Sequence, residues 1–238
     1  MKTVANIYKD GTYASNNPSF GDDNSAWKVE NALKAISLWN IPHDRIAEVG
    51  CGGGAIIRDI SEALNASQAV GYEPMPEAYA VAKSRETETL KYLNQTVDQT
   101  TKDHYDLTIC FDVFEHVEDC FSFIRDLTGI SDRILFHIPL DLNVQMVARM
   151  SPLMRVRKEV GHIHYFSKDT AIATLEECGL NIEGWFYTFG GDGTYAGKIY
   201  RMLKWPRKIA YAINRDLAVR WLGGWSLMVY GTKKTSHN

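Results

Sequence analysis

A glycine-rich turn between an apolar strand and a helical pattern constrains the fold of this chain most strongly. The stretch IAEVGCGGGAIIRDI occupies residues 46–60, with a β-branched apolar run before the glycines and helical spacing after them. Gly50, Gly52 and Gly54 lack Cβ atoms, so the backbone can adopt positive φ or approach a ligand closely here. The first N–H groups of the following helix would face whatever lies against the turn, and a nucleotide is the first candidate.

Strands alternate with helices along most of the chain, which sets the fold class. Consecutive βαβ units of this kind form a mostly parallel sheet with helices on both faces and right-handed crossovers. The sequence therefore predicts a doubly wound α/β fold whose ligands bind beyond the carboxyl ends of the strands. The predicted strands are 45–50, 68–73, 92–97, 106–111, 132–138, 181–189 and 225–232, and the predicted helices include 54–65, 76–90, 115–128 and 168–179.

Composition narrows the class of protein further. A length of 238 residues fits one domain with insertions, and a net charge of -3 gives no reason to expect nucleic acid as a partner. The cysteines at 51, 110, 120 and 178 include no C-x-x-C pair, which predicts reduced thiols and no structural zinc site. No apolar run approaches the roughly 20 residues of a membrane span, so we expect a cytoplasmic location.

Three stretches in a set order resemble a known family. They are EVGCGGG at 48–54, GYEP at 71–74 and YDLTICFDVFEHV at 105–117. Together they resemble the class I S-adenosylmethionine-dependent methyltransferases, and residues 94–119 and 160–182 are similar to segments of the ubiquinone-pathway O-methyltransferases and related small-molecule enzymes. The resemblance implies a Rossmann-like, seven-stranded sheet with an antiparallel last strand.

Two interpretations from other classes stay open beside this resemblance. The glycine turn, followed by Glu73 at the end of the second strand, also fits the dinucleotide-binding pattern loosely, which would suit an NAD-dependent oxidoreductase. A non-catalytic module that only binds the cofactor is the second alternative.

The resemblance implies a set of residues that bind S-adenosylmethionine. Gly50, Gly52 and Gly54 would let the backbone approach the methionine portion and the ribose. Glu48 would orient the α-amino group, and the two oxygens of Glu73 can accept hydrogen bonds from both ribose hydroxyls. The remaining predicted contacts are Gln95, Thr96 and Val97 over the adenine, and Phe111 and Asp112 on the other side of the cofactor.

The expected reaction is O-methylation of a small molecule, a glycan or a lipid-linked intermediate, with N-methylation of a small amine or amino sugar as the alternative. A hydroxyl nucleophile needs a general base or a metal beside the cofactor. His116 and His162 are the predicted catalytic residues, and a packed or hydrogen-bonded structural histidine is the competing interpretation for each. Asp112, Glu115 and His116 match the positions of a magnesium site in some ubiquinone-pathway enzymes. The predicted acceptor contacts are Tyr13, His137, His164 and Tyr165.

The chain divides into a leader and a main domain in this interpretation. Residues 1–40 form a leader and helix that can act as a lid, and residues 41–238 form the methyltransferase domain with insertions at 139–165 and 191–223 on the cofactor side. The segment 198–222 interleaves basic and aromatic residues, which suits peripheral contact with the inner membrane surface. A solvated helix whose apolar face packs on the domain is the alternative. The sequence predicts no oligomeric state.

Overall fold

The computed structural model describes residues 15–189 and 204–235, and its centre is a seven-stranded sheet. Tyr13, one of the predicted acceptor contacts, lies outside the described residues. The strands are β1 (Arg45–Val49), β2 (Gln68–Tyr72), β3 (Leu90–Leu93), β4 (Leu107–Phe111), β5 (Arg133–Pro139), β6 (Leu180–Phe189) and β7 (Trp225–Lys233).

The strand order is β3-β2-β1-β4-β5-β7-β6. The first five strands pair in parallel, and β7 runs antiparallel to both β5 and β6. This confirms the predicted Rossmann-like fold with an antiparallel last strand. Dinucleotide-binding folds have the order 3-2-1-4-5-6 instead, so the inserted β7 separates this sheet from theirs.

Helices cover both faces of the sheet. They are α1 (Ser25–Leu38), α2 (Ala55–Leu64), α3 (Pro76–Lys83), α4 (Cys120–Ile130), α5 (Val144–Arg149), α6 (Ser151–Glu159), α7 (Lys168–Glu177), α8 (Lys204–Ile213) and α9 (Arg215–Leu222). Short 3-10 turns occupy Asp22–Asn24 and Phe114–His116. Side-chain caps explain several helix starts: Asp119, Asn143, Ser167 and Asn214 each accept a backbone N–H from the first turn of the helix that follows.

Two apolar clusters form the core, one on each face of the sheet. Ile36 of α1 and Ile57 of α2 belong to one cluster, and Ile124 of α4 belongs to the other. Leu135 and Phe136 are consecutive on β5 and enter opposite clusters, as the alternation of side chains along a strand requires. Both faces of the central strands are therefore buried, which leaves the sheet edges and the strand ends for function.

The structure differs from the sequence predictions at four elements. β3 spans Leu90–Leu93, whereas the sequence predicted a strand at 92–97. α3 ends at Lys83 rather than near residue 90. Glu86 lies beyond its end, and the Glu86 carboxylate accepts a hydrogen bond from the backbone N–H of Tyr92 in β3. The helix predicted at 115–128 instead begins at Cys120, where the Asp119 side chain caps it. The insertion at 139–165 contains α5 and α6, which the sequence did not predict.

Two further findings concern the cysteines and the lengths of the helices. The four cysteines are free and buried. Within residues 15–189 and 204–235, no helix has the length and apolar character needed to cross a membrane.

Candidate active site

A cavity of about 910 Å³ opens at the carboxyl ends of β1, β2, β4 and β5. This volume lies in the upper part of the range of about 300–1,000 Å³ that is typical of ligand sites. The strand-end residues Glu48, Glu73, Phe111 and Asp112 line it, as do His116 and His162. The chain segment before α1 also lines the cavity, through residue 17 and residues 19–24.

Glu48 sits at the end of β1 with only 1% of its surface exposed. Its Oε2 atom accepts a hydrogen bond of 3.0 Å from the Ile57 N–H in the first turn of α2. Burial raises the pKa of the carboxyl to about 8, and the nearby positive charge of Lys28 opposes that rise. The group can therefore take up or release a proton near neutral pH, depending on the charge that faces it.

Glu73 follows β2 and is held by two backbone N–H groups. Its Oε2 accepts from Gly52 at 2.9 Å and its Oε1 accepts from Met75 at 2.8 Å. Burial raises the pKa of the carboxyl, and these two hydrogen bonds counteract the effect. Each oxygen keeps a second lone pair, so the carboxylate is oriented by the backbone and can still accept hydrogen bonds from a diol.

The glycines of the turn are required by packing as much as by ligand approach. Gly50 has a φ of +75°, and a Cβ atom there would lie 2.5 Å from the side chain of Val113. Gly54 has a φ of +82°, and its Cβ would lie 2.5 Å from the Tyr92 ring. Gly54 is also absent from the cavity lining among the described residues. The sequence prediction attributed all three glycines to the ligand, whereas protein atoms occupy the space beside at least these two.

The predicted adenine contacts divide in two. Gln95 and Thr96 line the cavity after β3. Val97 is 1% exposed and packs in the apolar core, and it is not among the residues that line the cavity. Phe111 lines the cavity and lies edge-on to His137, with 5.8 Å between the ring centroids.

Asp112 occupies the centre of an ion-pair network at the end of β4. Its Oδ2 lies 2.7 Å from Lys28 Nζ, and its Oδ1 lies 2.6 Å from His137 Nδ1. Burial alone raises the pKa of this carboxyl, but the contacts to His137 and Lys28 outweigh it and hold the pKa well below its usual range. The φ of Asp112 is +55°, in the left-handed region that Asp tolerates better than most residues.

A second cluster contains Glu115, His116 and His162. Glu115 is fully buried, and within residues 15–189 and 204–235 no hydrogen-bond donor reaches either of its carboxylate oxygens. Its Oε1 lies 3.9 Å from His116 Nε2 and 4.0 Å from His162 Nε2. The backbone N–H groups of Ile163 and His164 donate to the Glu115 carbonyl, which holds the loop after α6 against the end of β4.

The ionisable groups of this second cluster shift one another's pKa values. Burial, followed by repulsion from Asp112, raises the pKa of Glu115 to about 8. Burial and the neighbouring His162 lower the pKa of His116 to about 3, so its imidazole is neutral at physiological pH. Burial alone would lower the pKa of His162, but its hydrogen bond to Asp141 and the charges of Glu115 and Asp141 raise it above the usual value.

Asp141 orients His162. Its Oδ2 lies 2.6 Å from His162 Nδ1, so Nδ1 carries a hydrogen when the ring is neutral and the lone pair is on Nε2, which lies 4.0 Å from Glu115 Oε1. A carboxylate behind an imidazole in this way fixes the ring and makes it more basic, whether the ring accepts a proton or binds a metal. The Glu115, His116 and His162 ligand atoms all lie within 4.8 Å of one another.

The predicted magnesium set and the cluster in the structure are different sets. Asp112 faces Lys28 and His137, and His162 takes the third position beside Glu115 and His116. Two ligands that bind one ion at about 2.1 Å lie at most about 4.2 Å apart, so the Glu115 oxygen and either imidazole are close enough to share an ion.

The other predicted acceptor contacts that the structure describes are not among the residues that line the cavity. His137 is 2% exposed and bridges Asp112 and the Thr188 hydroxyl. His164 Nε2 lies 2.9 Å from the Val117 carbonyl oxygen, where it donates a hydrogen bond. Among the described residues, neither these two histidines nor Tyr165 belongs to the cavity lining.

Lys28 is a site residue that sequence reasoning missed, because residues 1–40 were predicted to act as a lid without any role for this side chain. Lys28 lies in α1, and nothing in the local pattern distinguishes it from the other surface lysines of a helix. Asp22 pairs with Arg85 at 2.6 Å, and the same guanidinium donates to the Gly53 carbonyl oxygen. These contacts hold the segment before α1 against the glycine turn.

The sequence of the chain is similar to those of known methyltransferases. A family model described as a methyltransferase domain matches residues 26–183. The ubiquinone biosynthesis O-methyltransferase of Rickettsia typhi is 30% identical over 104 residues, which are 42% of this chain and 42% of that protein. The match to this relative therefore spans about two-fifths of its length.

Solved structures are similar over most of the chain. The magnesium protoporphyrin IX methyltransferase of Synechocystis PCC 6803, solved with bound SAH, has a TM-score of 0.58 at 15% identity, covering 87% of this chain and 83% of that chain. The N-methyltransferase NodS of Bradyrhizobium japonicum WM9 also has a TM-score of 0.58 at 15% identity, covering 90% of this chain and 99% of that chain. At these identities the likeness shows a common fold.

Proposed function

Because the chain belongs to the methyltransferase-domain family of class I S-adenosylmethionine-dependent enzymes, we propose that it methylates a hydroxyl oxygen of a small molecule, a glycan or a lipid-linked intermediate. The observation that carries the choice of oxygen is the Asp141–His162 pair at the cavity wall. A hydroxyl must lose its proton to act as a nucleophile, and the His162 imidazole, oriented by Asp141, can accept that proton.

The cavity residues fit the cofactor at three points. Glu48 would face the α-ammonium group, Glu73 would accept from the ribose hydroxyls, and Gln95 with Thr96 would border the adenine. The bound cofactor supplies an electrophilic methyl group on a sulfonium. The role of the chain is to hold the acceptor oxygen in line with that methyl group. This positioning lowers the activation free energy by several kcal/mol.

His162 is the proposed general base. His162 lines the cavity, and its hydrogen bond to Asp141 and the charges of Glu115 and Asp141 raise its pKa, whereas burial lowers the pKa of His116 to about 3. A base whose pKa is near the working pH transfers protons most effectively. Asp141 is a positioning residue, because it holds the tautomer and stabilises the imidazolium after proton transfer.

A divalent cation is the second candidate at the same cluster, and the unpartnered oxygens of Glu115 favour it. Glu115, His116 and His162 would hold the ion, while Asp112 stays paired with Lys28. One carboxylate with two imidazoles suits manganese, iron or zinc better than the magnesium expected from sequence. Such an ion would activate the acceptor hydroxyl in place of the base.

An acceptor screen tests the proposal. Chelator-treated protein is incubated with S-adenosylmethionine carrying a labelled methyl group and with phenols, catechols, sugars and amines. We expect methylation of a hydroxyl without added metal, and a loss of about a hundredfold or more in His162→Gln. His104→Gln is the matched control, since His104 is exposed and remote from the cavity.

The other outcomes assign the site differently. Transfer to amines alone would overturn the O-methylation proposal in favour of N-methylation. Activity that appears only after manganese or zinc is added, and is lost in Glu115→Gln, would replace the base with the cation. Calorimetric titration of manganese or zinc into wild type and Glu115→Gln reports on the ion independently of turnover.

A further inference from the structure

Four adjacent helices beside the cavity expose an unusual number of apolar side chains. On α8 and α9 these are Trp205, Ile209, Ile213, Leu217 and Trp221, which repeat every fourth residue. Trp205 is 72% exposed and Ile213 is 81% exposed. Single exposed apolar residues are common on soluble proteins, whereas groups of neighbouring exposed apolar residues are typical of interaction sites.

A second group of exposed apolar residues lies on and before α5 and α6. Leu142, Val144, Val147, Met150 and Met154 are each between 39% and 51% exposed. The two groups are neighbours, because Val144 and Val147 of α5 line one groove together with Arg220 of α9. We call the exposed side chains of residues 142–158 and 205–221 the basic apolar surface.

The charge of these helices is strongly positive. Residues 142–160 and 204–224 contain nine Lys and Arg residues and two acidic residues, although the whole chain has a net charge of -3. Of the nine basic residues, Arg207 is buried and Arg220 lies 2.6 Å from Asp169. Of the two acids, Asp216 lies 2.8 Å from Lys168. Lys208 lies over the Trp205 ring and Arg215 over the Tyr211 ring, so cations and aromatic rings alternate along α8 and the start of α9.

We propose that the basic apolar surface docks on an anionic phospholipid bilayer. Amphipathic helices with Trp, Ile and Leu on one side and basic residues beside them bind at the boundary between headgroups and acyl chains. Each basic residue near an anionic leaflet adds to the attraction. The positive charge favours this occupant over a neutral or basic protein surface.

The position of α6 connects this surface to the cavity. α6 carries Met154 and Arg155 of the basic apolar surface, and Val160 at its end lines the cavity. Docking would therefore bring the cavity close to the bilayer, where an acceptor dissolved in lipid is concentrated. This extends the proposed function by favouring a lipid-linked acceptor, but the docking itself does not depend on catalysis.

Vesicle sedimentation tests the docking directly. The full chain, saturated with SAH, is mixed with phosphatidylcholine vesicles that do or do not contain phosphatidylglycerol. We expect binding to the anionic vesicles alone, weakened by salt. Trp205→Ser with Ile213→Ser, and separately Arg155→Glu with Lys158→Glu, should each weaken binding by about tenfold or more.

Matched controls separate docking from folding. Leu38→Ser removes an exposed apolar residue from α1, and Lys102→Glu reverses an exposed charge, both outside the surface. These controls should bind as the wild type does, and thermal unfolding with SAH should show that every variant is folded.

Three outcomes would overturn the proposal. They are no binding to anionic vesicles, equal binding to neutral vesicles, and binding that survives both surface variants. A wild-type dimer that Ile213→Ser dissociates in sedimentation equilibrium would assign the surface to a second copy of the chain. Methyl transfer to a water-soluble acceptor is measured without vesicles, so failure of docking and failure of the proposed reaction are distinguishable.

Discussion

The proton on Glu48 leads to a quantitative prediction about cofactor binding. The Glu48 carboxyl is buried, and its pKa is raised to about 8 in the protein without ligand. It is therefore protonated at pH 6 and pH 7. An α-ammonium group binds the ionised carboxylate far better than the neutral acid, so binding of SAH below pH 8 must release a proton.

The pKa sets the size of the effect. Each pH unit below the pKa adds about 1.4 kcal/mol to the free energy of ionising the group, so the cost at pH 6 is about 2.7 kcal/mol. We expect the Kd for SAH to fall about tenfold between pH 6 and pH 7, and to level off near pH 8. Isothermal titration calorimetry in two buffers with different ionisation enthalpies measures the affinity and the released proton together.

Two variants complete the experiment. Glu48→Gln should bind SAH weakly with little dependence on pH, whereas Glu62→Gln, an exposed position on α2, should behave as the wild type does. A wild-type Kd that is constant between pH 6 and pH 8, or the same dependence in Glu48→Gln, would refute the assignment.

The dependence of stability on pH gives a second test of the Glu48 pKa. Because folding raises the pKa of Glu48 above 4.5, its contribution is fully present below pH 4.5 and is lost as pH rises through 8, so Glu48→Gln should flatten this decline.

Three other substitutions test the remaining parts of the site. Glu73→Ala should weaken SAH binding by about 1–3 kcal/mol in calorimetry, since ribose acceptors are lost, and unchanged affinity would contradict that role. Lys28→Met should lower the free energy of unfolding by about 2 kcal/mol in urea titrations, because the buried Asp112 keeps His137 but loses the second of its two partners. Lys28→Met combined with Asp112→Asn should recover part of the loss, and additive effects would argue against the pairing. Asp141→Asn should lower the pKa of His162 and move the acidic limb of the pH profile of kcat/KM to lower pH, and a limb that stays in place would exclude His162 as the base.

Most of the sheet was predictable because β1, β2, β4 and β5 are short apolar runs with clear boundaries, whereas β3 (Leu90–Leu93) contains Lys91 and was predicted several residues too late. The glycines after β1 and the acid after β2 mark strand ends, and strand ends of a parallel sheet meet at one edge. Residues at these ends, such as Glu48, Glu73 and His116, could therefore be assigned to one cavity from sequence. α5 and α6 were missed because residues 144–159 contain Pro and several basic residues, and their pattern is weak.

Side-chain partners were harder to predict than strand ends. Lys28 and Asp112 are far apart in the chain, and only the packing of α1 against the sheet brings them together. On β5, the residues on both sides of His137 are buried, so alternation could not show that its ring faces Asp112 rather than the cavity. The same limit applies to His162, whose position in the second cluster depends on a loop held by the Glu115 carbonyl.

The position of β7 between β5 and β6 has a consequence for folding during synthesis. β6 pairs only with β7 in the described sheet, and 35 residues separate Phe189 from Trp225. The end of β7 at Lys233 is 44 residues after Phe189, so at a synthesis rate of about 5–20 residues per second β6 waits about 2–9 s before its partner strand is complete. During that interval the open edges of β5 and β6 can pair with other chains. Slower translation at β7 should therefore increase aggregation of the nascent protein more than slower translation within β1 or β2.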